Sequence, residues 1–131
     1  MKYLLDTDIC IYVINVRPSS VLQKFLAHEA DGLGVSAVTA GELWFGVKKS
    51  GSRRNAALLD RFLAPLEVAE YGAQAARAYG ELRSTLERKG TPIGPFDTQI
   101  AAHALTLDVT LVSNNVREFR RVPRLRLLNW V

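Results

Sequence analysis

The sequence predicts an α/β domain: a parallel sheet with helices on both faces. Three observations carry this. Short apolar runs at Tyr3–Leu5, Leu33–Val35 and Thr110–Val112 are each cut off by polar or turn residues, as suits buried parallel strands. Each run leads into a longer segment with apolar residues at helical spacing. Strands and helices alternate along the chain, and no repeat, low-complexity tract or linker divides it. A length of 131 residues suits one domain, residues 1–131, with a real core.

Taken in order, Tyr3, Leu4 and Leu5 form the first strand, stopped by Asp6. A helix follows over Ile9–Ile14, and Asp6, Thr7 or Asp8 can cap it. Arg17-Pro18-Ser19-Ser20 reads as a turn and helix start. Val21, Leu22, Phe25 and Leu26 keep helical spacing up to about Ala30, and Asp31-Gly32 ends that helix. Leu33–Val35 is the second strand, and Ser36 is a good N-cap for a helix from Ala37 to about Lys49. Ser50-Gly51-Ser52 breaks the pattern before a helix over Arg53–Leu63. Pro65 stops it, and Leu66–Ala69 is a short third strand. Ala73–Arg88 is the cleanest amphipathic helix, with Ala75, Tyr79, Leu82 and Leu86 on one face. Thr91–Pro95 is a loop, and Phe96-Asp97-Thr98 opens a helix to about Leu107. Thr110–Val112 is a strand, Ser113-Asn114-Asn115 a loop, and a short helical segment runs through Phe119. Leu125–Trp130 reads as a last edge strand.

Bulk properties narrow the function classes. Apolar residues make up 48% and charged residues 23%, ordinary for a soluble globular chain. The one cysteine, Cys10, lies among Ile9, Ile11 and Tyr12 and reads as a small buried hydrophobe; no internal disulfide is possible. No apolar stretch approaches the ~20 residues of a membrane span, and no signal peptide is evident, so a cytoplasmic setting is expected. The net charge of +4 is mildly basic. Lys48, Lys49, Arg53 and Arg54 form one cluster; Arg117, Arg120, Arg121, Arg124 and Arg126 form another. Either alone suits a solvated face; together, beside an acidic site, they favour a nucleic-acid backbone.

Three acids recur in one local setting. Asp6 ends a strand before a helix, Glu42 lies about one turn into the helix after a strand, and Asp97 starts a helix after a Gly- and Pro-rich loop. In parallel strand–helix units all three reach the same sheet edge, and Asn114 and Asn115 arrive there too. Each acid has a plainer role open to it. Asp6 and Asp97 can be helix caps, Thr39-Ala40-Gly41-Glu42 matches a capping box, and Asn114-Asn115 can be only a turn. Gathered carboxylates repel one another, and a divalent cation removes the conflict; oxygen-rich sites suit Mg²⁺ or Mn²⁺. Such an ion activates water and stabilises charge on a phosphodiester. Only His28 and His103 are present, too few for most zinc sites, and His103 reads as packed or facing a partner. There is no Gly-rich phosphate loop and no Gly-x-Ser-x-Gly elbow.

Four blocks in order, Leu4-Leu5-Asp6-Thr7-Asp8, Ser36–Leu43, Gly94–Ala104 and Val112–Phe119, resemble the PIN-domain ribonucleases, most nearly the VapC toxins of bacterial toxin–antitoxin pairs. The resemblance covers essentially the whole chain. It implies a three-layer α/β/α sandwich with a mostly parallel sheet, and Mg²⁺- or Mn²⁺-dependent endoribonuclease activity on structured RNA such as tRNA. It also implies a homodimer restrained by a VapB-like antitoxin. By matched position Asp6, Glu42 and Asp97 are the metal-binding acids. Asn115 stands where a fourth acid is usual, and Thr7, Ser113 and Asn114 support the site. Lys48, Lys49, Arg53, Arg54, Arg117, Arg120 and Arg121 become candidates for RNA contact. Two other readings compete. Asn115 leaves room for an inactive PIN-like binding module. Asp6-Thr7-Asp8 also resembles the Asp-x-Asp of haloacid-dehalogenase-type phosphatases, although Asp108 and Glu118 fit their late acid pair poorly.

Overall fold

The computed structural model describes residues 1–131. Strand β1 (Tyr3–Leu5) leads into helices α1 (Thr7–Asn15) and α2 (Ser19–His28). Then come β2 (Leu33–Ser36), α3 (Ala37–Ser50), α4 (Arg53–Leu63), β3 (Glu67–Ala69) and α5 (Ala73–Arg88). The chain closes with α6 (Pro95–Leu107), β4 (Thr110–Val112), α7 (Val116–Phe119) and β5 (Leu127–Leu128). The five strands lie in the order β3-β2-β1-β4-β5, and every pairing is parallel.

Burial on both faces explains why the strands read as unbroken apolar runs. Along β1 the side chains alternate: Tyr3 and Leu5 join one core, Leu4 the other. The first core holds Ile9, Cys10 and Val13 of α1, Val21 and Phe25 of α2, Leu43 of α3 and Leu59 of α4. The second holds Leu82 and Leu86 of α5, Ile100, Ala101, Ala102 and Ala104 of α6, and Phe119 of α7. The result is the expected helix–sheet–helix sandwich. Cys10 is buried, as its neighbours imply. No helix is long and apolar enough to cross a membrane.

The order of strands places the site. The chain moves outward from β1 to β2 to β3, then returns to lay β4 on the other side of β1. The crevice between β1 and β4 is the switch point, where ligands bind beyond the carboxyl ends of an open parallel sheet. Asp6 directly follows β1 and Ser113 directly follows β4.

Three of the boundary differences have clear local causes. The expected strand at Leu125–Trp130 shrinks to Leu127–Leu128. Arg124 turns the chain at φ 64 just before it, and Trp130 leaves the ladder to bury its ring against Tyr3 and His28, with centroids 6.0 and 5.3 Å away. The helix expected up to Ala30 stops at His28, and a 3-10 turn over Glu29–Asp31 closes at Gly32 with φ 89. Pro95 belongs to α6 rather than to the loop, because its missing N–H costs nothing in the first helical turn.

Gly34, in β2, sits where a Cβ would come within 2.8 Å of the Glu67 carbonyl oxygen of β3 and 2.1 Å of Met1 Sδ. Gly46, inside α3, has open space around it. Gly34→Ala should therefore cost about 1–3 kcal/mol by overpacking. Gly46→Ala should gain about 0.5–1 kcal/mol through helix propensity. Urea unfolding midpoints measure both, and equal midpoints for the two variants would contradict this packing.

Candidate active site

Asp6 takes extended backbone angles (φ −78, ψ 173), and its Oδ1 accepts from Ile9 N–H at 2.9 Å, so it does cap α1. That bond uses one oxygen only. The Ser113 hydroxyl donates to Oδ2. The cap and site roles thus belong to one side chain. Ser113 Oγ in turn accepts from Asn115 N–H at 2.9 Å, so the turn after β4 is locked onto the carboxylate after β1. Asp6 is only 4% exposed.

Glu42 arrives from α3. Ser36 Oγ caps that helix by accepting from Val38 N–H at 3.1 Å. A helix starting there puts Glu42 in its second turn, which rules out a capping box with Thr39. Its carboxylate instead accepts from Thr7 Oγ1 at 2.9 Å, tying α3 to the start of α1. Asp97 stands in the first turn of α6 and is half-buried. Asn115 Nδ2 donates to Asp97 Oδ2 and to Glu118 Oε2, each at 3.2 Å. With a carboxylate on both sides, the amide nitrogen must face them. Asn115 begins α7 yet makes no side-chain cap, which leaves its amide free for this bridge.

Asp6, Glu42, Asp97 and Asn115 are brought to one sheet edge, with Thr7 and Ser113 holding two of the acids. Asn114 lies at the exposed rim, where its Nδ2 donates to Tyr12 OH at 3.4 Å. Glu118 is the residue sequence reading missed as a member of this cluster. Its signal was the Asn115-x-x-Glu118 spacing, which sets both residues on one face of a helical turn. Asp8, unassigned from sequence, is exposed but close enough for its charge to act on both Asp6 and Asp97.

The electrostatics follow from this crowding. Burial pushes the Asp6 carboxyl up to about 7; the Ser113 and Ile9 hydrogen bonds oppose the shift, and the charges of Asp8 and Asp97 reinforce it. Asp97 is also raised, first by burial, then by Glu118 and Glu42. None of the chain's four ion pairs reaches these acids. No three of them form a ready-made chelating set. The five main surface hollows, of about 160–330 Å³, include none of them.

Of the expected RNA contacts, Lys48, Lys49, Arg53, Arg54, Arg117 and Arg120 are exposed. Arg121 differs: its Nη1 donates to the Pro92 carbonyl at 2.9 Å and latches the loop before Asp97. Arg126 is likewise held by Asp108, at 3.1 Å.

A parallel sheet in this order, with carboxylates from three helix starts meeting at its switch point, defines a PIN-type domain. The PIN domain family model matches residues 3–125, and the chain belongs to that family, among its VapC ribonucleases. It is 43% identical over 132 residues to "Ribonuclease VapC2" of Rickettsia felis, covering 99% of this chain and 98% of that protein. It is 40% identical over 131 residues to the "tRNA(fMet)-specific endonuclease VapC" of Salmonella typhimurium, covering 99% and 98%. Among solved structures, VapBC2 from Rickettsia felis bound to a promoter DNA fragment superposes with a TM-score of 0.91 at 41% identity, covering all of both chains. FitAcB from Neisseria gonorrhoeae, at a TM-score of 0.81 and 21% identity, shares the fold. This membership displaces the phosphatase reading of Asp6-Thr7-Asp8.

Without divalent ions, an acid held near 7 in the folded chain keeps its proton where the unfolded chain has lost it. Stability should then fall as pH rises from about 4 to about 7 and level off above. Asp6→Asn removes the charge but keeps an acceptor for Ile9 N–H. In chelator it should melt higher than wild type at pH 8 and alike near pH 4, as read by circular dichroism. A lower melting temperature at pH 8 would contradict the burial argument.

Proposed function

We propose that this chain is a divalent-cation-dependent endoribonuclease toxin, held in check by a VapB-like antitoxin. The observation that carries the cation is a buried acid, Asp6, clustered with partly buried, mutually repelling acids and with no ion pair to a basic side chain. Mg²⁺ or Mn²⁺ fits this donor set. All the candidate ligands are oxygens, and their open arrangement suits an ion that keeps several waters and takes only one or two carboxylates besides substrate phosphate. Asp6, Glu42 and Asp97 would hold the ion. When bound, it supplies charge stabilisation for a phosphodiester under attack. The chain's own residues prepare the place. Ser113 fixes one oxygen of Asp6, Thr7 fixes Glu42, and Asn115 sets Asp97 against Glu118. Glu118 restores the negative charge that Asn115 lacks, which answers the inactive-module reading.

Structured RNA of the tRNA class is the proposed substrate. The Salmonella relative's name specifies tRNA(fMet). The exposed cations at the end of α3 and the start of α4, with Arg117 and Arg120 of α7, suit its phosphates. A homodimer in a reducing cytoplasm, joined by the antitoxin, is the proposed working form; Rickettsia and Salmonella relatives are solved as VapBC complexes on DNA.

Purified chain with Mg²⁺ or Mn²⁺ should cleave tRNA from its host, and EDTA should stop it. Asp97→Asn should lower the rate at least ~100-fold, because each ~1.4 kcal/mol of lost charge stabilisation costs tenfold. Glu118→Gln should lower it at least ~10-fold, whereas Asn115→Asp should stay active. Unaltered circular dichroism guards against misfolding. Full cleavage in EDTA, or none by wild type with either metal, would overturn the reading.

A further inference from the structure

We infer that His103 is a positioning residue for Glu42, acting through the Ser36 hydroxyl; the inference rests on the reading of Glu42 as a cation ligand. His103 lies on α6, six residues beyond Asp97, among Ala101, Ala102 and Ala104. It is 2% exposed. A polar ring at that depth must be satisfied, and its bonds are what distinguish it from core filling. Nδ1 lies 2.8 Å from Ser36 Oγ. The Glu70 backbone, just past β3, lies near the ring. Tyr71 meets the ring edge-on, with centroids 5.3 Å apart at 78°.

The partners fix the tautomer. Ser36 is fully buried and Nδ1 is the only acceptor its hydroxyl reaches, so Nδ1 is bare and Nε2 carries the ring proton. The Ser36 hydroxyl therefore donates to Nδ1, which leaves its oxygen to accept from Val38 N–H at 3.1 Å. One chain of bonds runs from the first turn of α3, through Ser36, to the ring on α6. Ser36 ends β2, so the ring holds the carboxyl end of that strand against α6. Two helices that carry candidate ligands, Glu42 on α3 and Asp97 on α6, are thereby held at one spacing. Leu at this position would fill the same volume and leave the Ser36 hydroxyl without its acceptor.

Two isosteric substitutions separate the bonds. His103→Asn keeps an acceptor at the Nδ1 position for Ser36. His103→Gln keeps a donor at the Nε2 position and loses Ser36. Calorimetric titration with Mn²⁺ alone, on folded full-length protein, should show His103→Gln binding ~10-fold more weakly, the usual cost of a lost supporting partner, and His103→Asn within ~3-fold of wild type. Nitrogen-15 spectra of the wild type should show His103 neutral and protonated at Nε2 at pH 7, which needs no variant to fold. Wild-type Mn²⁺ affinity in His103→Gln, together with weakened binding in Glu42→Gln, would overturn the inference. A proton on Nδ1 would do the same. Unchanged affinity in Glu42→Gln would overturn the cation reading itself, and this inference with it.

Discussion

The site depends on one buried carboxylate. Asp6 is placed by β1, the central strand of the five, and its oxygens are fixed by Ile9 N–H and the Ser113 hydroxyl. Those two bonds join the start of α1 to the turn after β4, so the switch-point crevice is built around Asp6. Burial makes its charge unfavourable, and the acids nearby add to that. The fold thus keeps an acid under electrostatic stress where ligands enter a parallel sheet. A protein gains nothing in stability from such an arrangement, and stress of this kind is a mark of functional sites.

The other acids extend the same logic. Glu42 and Asp97 each sit near the start of a helix and each is held by a neutral donor, Thr7 for one and Asn115 for the other. Neutral donors orient a carboxylate without cancelling its charge. An arginine or lysine in either place would satisfy the acid and close the site to an incoming cation. Asn115 and Glu118 divide between them what a single acid could do: the amide positions Asp97, and the glutamate supplies the charge. His103 lies a layer deeper and ties together the helices on which two of these acids stand.

Much of this was legible in the sequence because parallel strands buried on both faces have a simple signature. Tyr3–Leu5 and Thr110–Val112 were recovered at their observed bounds, and Asp6, Glu42 and Asp97 were found by their position after strands or loops. The losses have physical causes. The last strand was overextended because apolar residues leaving a ladder to bury a ring, as Trp130 does, look like strand residues. The bond from Arg121 to the Pro92 carbonyl was not foreseen, because sequence does not show which backbone oxygen a guanidinium will reach. Glu118 was passed over because it follows an Asn that occupies the expected acid position, and the partnership appears only when α7 winds. Cap and site member were read as alternatives for Asp6, because sequence does not show that its two oxygens take different partners.

The central claim is that these acids act together as a cation site with Asp6 at its heart. Its most direct test is the proton balance of Mn²⁺ binding, measured by titration calorimetry at pH 6.5–7 in two buffers of different ionisation heat. A carboxyl held near 7 must give up its proton when a cation arrives. The wild type should release a substantial fraction of one proton per ion, the release should fade by pH 8.5, and it should be absent in Asp6→Asn. Binding with no proton released at pH 6.5–7, or no binding at millimolar Mn²⁺, would contradict the claim.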